Sequence, residues 1–255
     1  MCYDIKVSLE SQLRRAQLSS NLNSIKELEE KIRPFIEPNL YHTNGYTHPQ
    51  TLIYTNNEPF LPTVSVWGLI PHWVKDNEKR LLIWNKTLNA RGETIFDKPS
   101  FKESAQHKRC IIILDGFYEH HYYKGKAYPF FIQKKSKRPF SVAGLWSEWL
   151  DTESGEIINS FTIITTRAKK LMAKIHNNPK LIEPRMPMIL PEEKIEDWLA
   201  PVKTTPNKRW LEEFLASKME DELSAHSVQK LRGNNALGNV PEASTKFIYA
   251  GLPDI

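Results

Sequence analysis

Cysteine and glycine are scarce in this chain, and their scarcity sets the first limits on it. The 255 residues include 2 cysteines and 10 glycines, which excludes a disulfide-stapled secreted fold and a fibrous glycine repeat. No apolar run approaches the roughly 20 residues of a membrane span, and no signal-peptide pattern opens the sequence. We therefore predict a cytoplasmic protein that binds no membrane.

The short motifs of several enzyme classes are also absent. There is no glycine-rich phosphate or dinucleotide loop and no Gly-x-Ser-x-Gly elbow. Cys-x-x-Cys and His-Glu-x-x-His are missing, and the adjacent His120 and His121 would point to opposite faces of a strand. We expect neither a metal ion nor a cofactor.

What remains is ordinary globular composition with a mild basic excess. Apolar residues make up 40% and charged residues 25%, and the formal net charge is +5. This balance is compatible with a polyanionic partner but also occurs in proteins that never bind nucleic acid. We expect a monomer.

Hydrophobic patterning predicts an α+β fold with a mixed, largely antiparallel β core flanked by helices, in a single domain over residues 1–255. One-sided apolar spacing predicts helix within residues 8–36, and residues 41–50 have the composition of a loop. Predicted strands cover residues 51–55, 64–68, 110–114, 128–133, 140–144, 160–166 and 188–190. Predicted helices cover residues 167–175, 192–199 and 207–223, and a C-terminal helix with a closing strand occupies about 206–243.

Residue 2 carries the first chemical signal. Initiator methionine is generally removed when the next residue is small, which would leave Cys2 with a free α-amine beside its thiol. The reference pKa values are about 7.7–8.0 for the amine and about 8.5 for the thiol, so both are partly nucleophilic near neutral pH. Such a 1,2-aminothiol can condense with an aldehyde to an imine and close to a thiazolidine. Position alone leaves coincidence open, because some residue must follow Met1.

Further segments, taken in their order along the chain with Met1-Cys2, resemble the SRAP family of SOS-response-associated peptidases, or abasic-site-processing proteins. These segments are WGLIPHW at 67–73, NARGET at 89–94, RCIIILDGFYE at 109–119, AGLW at 143–146, IH at 175–176 and RMPMIL at 185–190. Residues 228–242 are similar to the family's weaker closing motif. The resemblance implies a barrel-like fold and capture of abasic sites in single-stranded DNA as a thiazolidine crosslink through the mature amino-terminal cysteine. It also implies self-processing of Met1, lyase-like activity and association with DNA or the nucleoid.

The resemblance assigns the catalytic roles to Cys2, Asn89, Glu119 and His176. An amide at Asn89 could hold the sugar hydroxyl. Glu119 follows an apolar strand, so we expect a partly desolvated carboxylate at a strand end, with a raised pKa suited to shuttling protons. His176 near a helix end could protonate the leaving ring oxygen or contact phosphate. Without the resemblance, Glu119 would be read as a surface glutamate and His176 as a helix-terminal polar residue.

The same segments supply candidate DNA-binding residues. The guanidinium of Arg91 could bind a phosphate; if residues 89–93 are extended, Glu93 lies on the same face, and a structural salt bridge with Arg91 is the alternative. Candidates for stacking on bases, wedging between them or contacting the backbone are Trp67, Pro71, Trp73 and Arg185. Cys110 lies in an apolar run and is expected to be an inert core thiol.

Departures from the family pattern concern the start of the chain and one loop. The arginine near the family's amino terminus is absent, and Asp4 would bring a like charge near phosphates. The helical segment at about 8–36 is an insertion relative to shorter members. Residues 177–184 separate His176 from Arg185 more widely than in the compact pattern, and His120 replaces a common tryptophan.

Two other functions remain open from the sequence. One is a cysteine peptidase or autopeptidase that uses Cys2 with His176. The other is a module that binds single-stranded DNA without a covalent bond, whose affinity would fall steeply with salt.

Overall fold

The computed structural model describes residues 2–19, 22–201, 208–216, 223–253 and 255. The strands within these residues are β1 Asp4–Ser8, β2 Asn39–Asn44, β3 Gln50–Thr55, β4 Thr63–Trp67, β5 Asn89–Arg91, β6 Arg109–Leu114, β7 Gly116–Tyr123, β8 Lys126–Lys134, β9 Phe140–Leu150, β10 Ile157–Arg167, β11 Arg185–Pro187, β12 Ile189–Leu190 and β13 Leu223–Ser227. The helices are α1 Leu9–Leu13, α2 Leu22–Ile32, α3 Asn77–Trp84, α4 Lys102–His107, α5 Lys170–Ile175, α6 Ile195–Leu199 and α7 Lys208–Ala216.

A closed five-stranded barrel forms the centre of the fold. Its strands follow the order β10-β4-β3-β6-β9, and β9 pairs again with β10. Closure brings three strands together at Gly144, where an added Cβ would lie 2.6 Å from the Ile112 side chain and 2.8 Å from the Thr162 carbonyl oxygen. Only glycine fits this approach without a shift of the neighbours. β10 runs parallel to β4 and β5, and its other pairings are antiparallel.

A second sheet of five antiparallel strands has the order β13-β8-β7-β1-β2. The amino-terminal strand β1 is therefore interior to this sheet, with Asp4 opposite Tyr118 and Ile5 opposite Phe117 on β7. Continued by one residue, the register sets Tyr3 opposite Glu119. Pairing on both sides fixes the start of the chain against the middle of β7.

The fold predicted from the sequence is confirmed: the chain has an α+β fold with a mixed, largely antiparallel, barrel-like core. Each predicted strand overlaps an observed one, and helices α1 and α2 lie within residues 8–36. Cys110 is fully buried in β6. Within the described residues, no helix combines the length and apolarity that crossing a bilayer requires.

Several local predictions need correction. Residues 41–44, the first part of the segment predicted as a loop, belong to β2, where pairing with β1 forms the hydrogen bonds of a strand despite their polar composition. The helix expected from residue 167 begins at Lys170, since Arg167 still pairs with β11. Leu223 begins β13 instead of ending a helix, and residues 207 and 217–222 of that prediction lie outside the described part of the chain. Within the predicted range of about 206–243, the described residues contain helix α7 and strand β13.

Candidate active site

Cys2 lies just before β1 and is held by a side chain from β5. The Asn89 amide donates from Nδ2 to the Cys2 carbonyl oxygen at 2.8 Å. Cys2 is 1% exposed, and its thiol lies 3.9 Å from the Asp4 carbonyl oxygen. Burial, followed by the nearby charge of Glu119, raises the pKa of this thiol. The thiol is therefore protonated at neutral pH in the chain that retains Met1.

Asn89 owes its position to the parallel pairing of β5 with β10, where it lies opposite Ile163. Its Nδ2 donates to Cys2, so this donor is not directed at a sugar hydroxyl as expected. The other amide atom, Oδ1, is buried without a hydrogen-bond partner among the described residues. This amide thus orients the Cys2 backbone and leaves one buried acceptor next to it.

Glu119 lies in the middle of β7, opposite Phe130 on β8, and not at a strand end. Its carboxylate accepts a hydrogen bond from the backbone N–H of His120 at 2.9 Å. Burial raises the pKa of Glu119 to about 7, in the direction predicted from the sequence. This carboxyl group therefore exchanges its proton near neutral pH.

His176 caps the carboxyl end of α5, where its backbone N–H donates to the Met172 carbonyl oxygen. Its Nδ1 accepts the backbone N–H of Arg185 at 2.7 Å, so a neutral ring carries its proton on Nε2. Nε2 lies 3.6 Å from Oε2 of Glu119. Burial lowers the pKa of His176 to about 4. The ring is neutral at physiological pH, and its N–H faces the carboxyl group.

The ordinary order of acidity is therefore reversed in this pair. At pH 7 Glu119 is about half protonated, whereas His176 has lost its second proton. The carboxyl group is the proton donor and acceptor, and the imidazole is a fixed hydrogen-bond donor. The loop of residues 177–184 does not separate His176 from Arg185, because the Nδ1 contact joins them directly.

Arg185 is buried, which disagrees with the expected contact to DNA. Its side chain is 2% exposed. Its guanidinium donates hydrogen bonds to both carboxylate oxygens of Glu93, at 2.9 and 2.8 Å, and to the Thr165 carbonyl oxygen at 2.7 Å. It also binds Glu183 at 2.9 Å. Burial alone would raise the pKa of Glu93, but the hydrogen bonds and charge of Arg185 outweigh it and lower that pKa. With these partners Arg185 stabilises the site from within.

The extended face expected for residues 89–93 ends at Arg91. Gly92–Thr94 forms a 3-10 turn, so Glu93 leaves the face of Asn89 and pairs with Arg185 instead of Arg91. The Arg91 side chain is exposed. An exposed guanidinium agrees with the expected phosphate contact. The alternative, a salt bridge between Arg91 and Glu93, is not formed because Glu93 pairs with Arg185.

Of the three residues expected to stack or wedge, only Trp73 lies at the surface. Trp67 is fully buried, and its indole N–H donates to the Leu88 carbonyl oxygen at 2.8 Å. Pro71 is also buried. No base could stack on either residue in this arrangement. Trp73 is 38% exposed, with its N–H 3.2 Å from the Pro99 carbonyl oxygen.

Asp4 is buried, so its charge is not presented to phosphates, contrary to the expectation from the sequence. Its two carboxylate oxygens bind Nε2 of His42 at 2.9 Å and Nη2 of Arg232 at 2.6 Å. These contacts tie β1 to β2 and to the carboxyl-terminal segment, and they neutralise the charge.

Within the described part of the chain, no three His, Cys, Asp or Glu side chains are grouped to hold a metal ion.

Comparison with known proteins gives relatives over most of the chain. Abasic site processing protein YoqW of Bacillus subtilis (strain 168) is 40% identical over 177 residues, which are 69% of this chain and 72% of that protein. Abasic site processing protein HMCES of Xenopus tropicalis is 31% identical over 201 residues, 71% of this chain and 56% of that protein.

Solved structures and a family model agree with these relatives. A crystal structure of a protein from Bacteroides thetaiotaomicron matches with a TM-score of 0.81 and 31% identity, over 97% of this chain and 100% of that one. A Bordetella bronchiseptica protein at 24% identity and a TM-score of 0.66 shares the fold. The family model described as SOS response associated peptidase (SRAP) matches residues 1–235. This chain therefore belongs to the SRAP family.

Proposed function

We propose that the mature chain, beginning at Cys2, captures abasic sites in single-stranded DNA as a covalent thiazolidine. The observation that carries this proposal is the meeting of Cys2 with the Asn89 amide and the Glu119–His176 pair at the start of β1. Membership of the SRAP family and relatives named abasic site processing proteins supply the substrate class.

The proposed reaction requires that Met1 be removed first. Hydrolysis of the Met1–Cys2 peptide bond consumes one water, releases methionine and leaves the α-amine of Cys2 free. Cys2 is 1% exposed in the chain that retains Met1, so processing must also open the aminothiol to the lesion sugar. We assign this step to the chain itself as an autopeptidase activity, in keeping with the family description.

Capture then proceeds in two steps whose atoms balance. The neutral α-amine attacks the aldehyde carbon of the ring-opened deoxyribose and, with loss of one water, gives an imine. The Cys2 sulfur adds to the imine carbon, and the thiol proton passes to the nitrogen, which closes the five-membered ring. Glu119 protonates the departing hydroxyl and regains that proton from the protonated imine nitrogen; as the sulfur adds, it relays the thiol proton to the same nitrogen.

The neighbouring side chains support this proton transfer without changing charge. Neutral His176 directs its Nε2–H toward Glu119, which orients the carboxyl group. Asn89 holds the Cys2 carbonyl oxygen, and its unpartnered Oδ1 is an acceptor for the freed α-amine. The reaction is thereby confined to one orientation of the terminus.

The direct test uses a uracil-containing single strand converted to an abasic strand by uracil-DNA glycosylase. We expect the purified protein to lack Met1 by intact mass and to give a band that stays shifted on a denaturing gel. A matched strand without uracil is the control. No shifted band on DNA proven to be abasic, with Met1 absent, would refute the proposed function.

Arg91 and Trp73 are the proposed contacts to the DNA backbone and to a base. Arg91→Ala should weaken non-covalent binding to an abasic-free strand and lower the salt slope by about 0.7, the value for one phosphate contact on single strands. The measurement is fluorescence anisotropy at several salt concentrations. Arg33→Ala, which removes an exposed arginine from the helical segment at residues 8–36, is the control. An unchanged slope in Arg91→Ala would make Arg91 a structural residue.

A further inference from the structure

His176 is held from two sides by residues outside the catalytic set, namely Asn177 and Arg185. Asn177 follows it directly, and Arg185 begins β11 on the far side of the loop. Asn177 connects the segment of His176 to β7, and Arg185 connects the ring itself to β11. The position of the ring therefore does not depend on the short helix α5 alone. This arrangement bears on which ring nitrogen carries the proton.

The Asn177 side chain joins α5 to β7 as another strand would. Its Nδ2 donates to the Tyr122 carbonyl oxygen at 3.0 Å, and its Oδ1 accepts the Tyr122 N–H at 2.7 Å. Nearby, the His121 ring lies 3.1 Å from the Lys174 carbonyl oxygen through Nδ1. Tyr122 is three residues from Glu119 on the same strand, so the amide joins the segment that carries His176 to the strand that carries Glu119.

The main-chain N–H of Arg185 determines the tautomer. It occupies Nδ1 of His176 at 2.7 Å, and its own position is fixed by the guanidinium contacts to Glu93 and Thr165. A donor at Nδ1 is compatible only with a neutral ring protonated at Nε2. The opposite tautomer would present a lone pair to Glu119 and leave two N–H groups facing each other at Nδ1.

We propose that Asn177 and Arg185 are positioning residues that hold His176 as the Nε2–H tautomer facing Glu119. The effect on capture rests on the proposed function, whereas the tautomer itself does not. Among the described residues, the charged or titratable groups that act on His176 from neighbouring strands are Glu119 and His120 on β7 and Arg185 on β11, and the charge of the amino terminus acts on it as well. Lys174 lies on its own helix.

The test measures the tautomer and the reaction separately. Nitrogen-15 shifts of the His176 ring, assigned by loss of the signals in His176→Gln, should report Nε2–H in the wild type at pH 7.5. Asn177→Ala should release the segment of His176 from β7 and weaken the contact of Nδ1 with the Arg185 N–H, which gives a mixture of tautomers. It should also slow crosslinking by about ten- to a hundredfold, the cost of a misplacement of about 1 Å. Non-covalent DNA affinity should remain near that of the wild type.

Two further variants keep the test decisive. Asn178→Ala changes an amide one residue along that contacts its own loop, and it should keep the wild-type tautomer and rate. Asn177→Asp retains the acceptor for Tyr122 N–H and loses the donor, so it provides a milder change if Asn177→Ala does not fold.

The outcomes separate this inference from the proposed function. A slow rate with an unchanged tautomer, or a mixed tautomer with an unchanged rate, would overturn the positioning role. If the wild type forms no covalent product, the proposed function fails, and the ring shifts still test whether Asn177 and Arg185 hold the tautomer.

Discussion

Replacing Cys2 by alanine is expected to abolish the stable covalent product while leaving non-covalent DNA binding nearly unchanged. Alanine is also small, so we expect the general removal of initiator methionine to expose an α-amine in this variant without self-processing, and intact mass checks that Met1 is absent. That amine can form an imine with the lesion, but no sulfur is present to close the ring. The imine hydrolyses on dilution, so a denaturing gel should show no shifted band.

A reductant distinguishes the two nucleophiles of Cys2. Sodium cyanoborohydride reduces an imine to a stable amine, so the shifted band should return for Cys2→Ala when this reagent is present. The wild type should give the band with or without it. Cys110→Ala, which removes the other thiol, fully buried in β6, should behave as the wild type.

Each alternative function predicts a different pattern. A stable band from Cys2→Ala without reductant would exclude the thiazolidine. Cys2-dependent release of peptides from added substrates, with no DNA product, would favour a cysteine peptidase. A module that binds without a covalent bond would show a steep salt dependence, equal affinity in both proteins and no band under any condition.

The residues proposed as the catalytic set could be selected from the sequence because the resemblance depends on short motifs. Glu119 follows an apolar strand, and burial beside that strand raises its pKa as expected. Its place in mid-strand could not be predicted, since β7 extends past residue 119 through polar residues that pair with β8. Local composition does not report such pairing.

The exposure of the candidate DNA-binding residues was harder to predict because exposure is a property of the whole fold. The sequence motif does not indicate whether the indole of a tryptophan is buried, as in Trp67, or lies at the surface, as in Trp73. The pairing of Arg185 with Glu93 joins residues 92 positions apart, and that of Asp4 with Arg232 joins residues 228 apart. The only sequence feature that could have pointed to Asn177 is its position directly after His176.

Glu119→Gln should have the second largest effect, a loss of about a hundred- to ten-thousandfold in the rate of crosslinking, as for removal of a general acid–base group. Glutamine keeps the shape and a hydrogen-bonding oxygen but cannot exchange a proton. Binding to an abasic-free strand should not change. Single-turnover rates from quenched gels measure the loss, and Glu10→Gln, which alters an exposed carboxylate on α1, is the control.

The pH dependence identifies the group responsible. Attack requires a neutral α-amine, with a reference pKa of about 7.7–8.0, while loss of water requires protonated Glu119, whose pKa is raised to about 7. The rate should therefore rise with pH, reach a maximum between the two values and then fall. His176, with its pKa lowered to about 4, is neutral throughout. In Glu119→Gln the falling limb should disappear, leaving only the rise due to the amine.

The free energy of unfolding of Glu119→Gln checks that its lower crosslinking rate does not come from a less stable fold. Because burial raises the pKa of Glu119 in the folded chain, the folded state binds more protons than the unfolded state between the two pKa values. The free energy of unfolding therefore declines as pH rises through this range, and glutamine removes that decline. Urea unfolding at pH 8 should show Glu119→Gln to be no less stable than the wild type. If Glu119→Gln reacts slowly, is as stable as the wild type and still shows the fall in rate at high pH, the proton transfer belongs to another group.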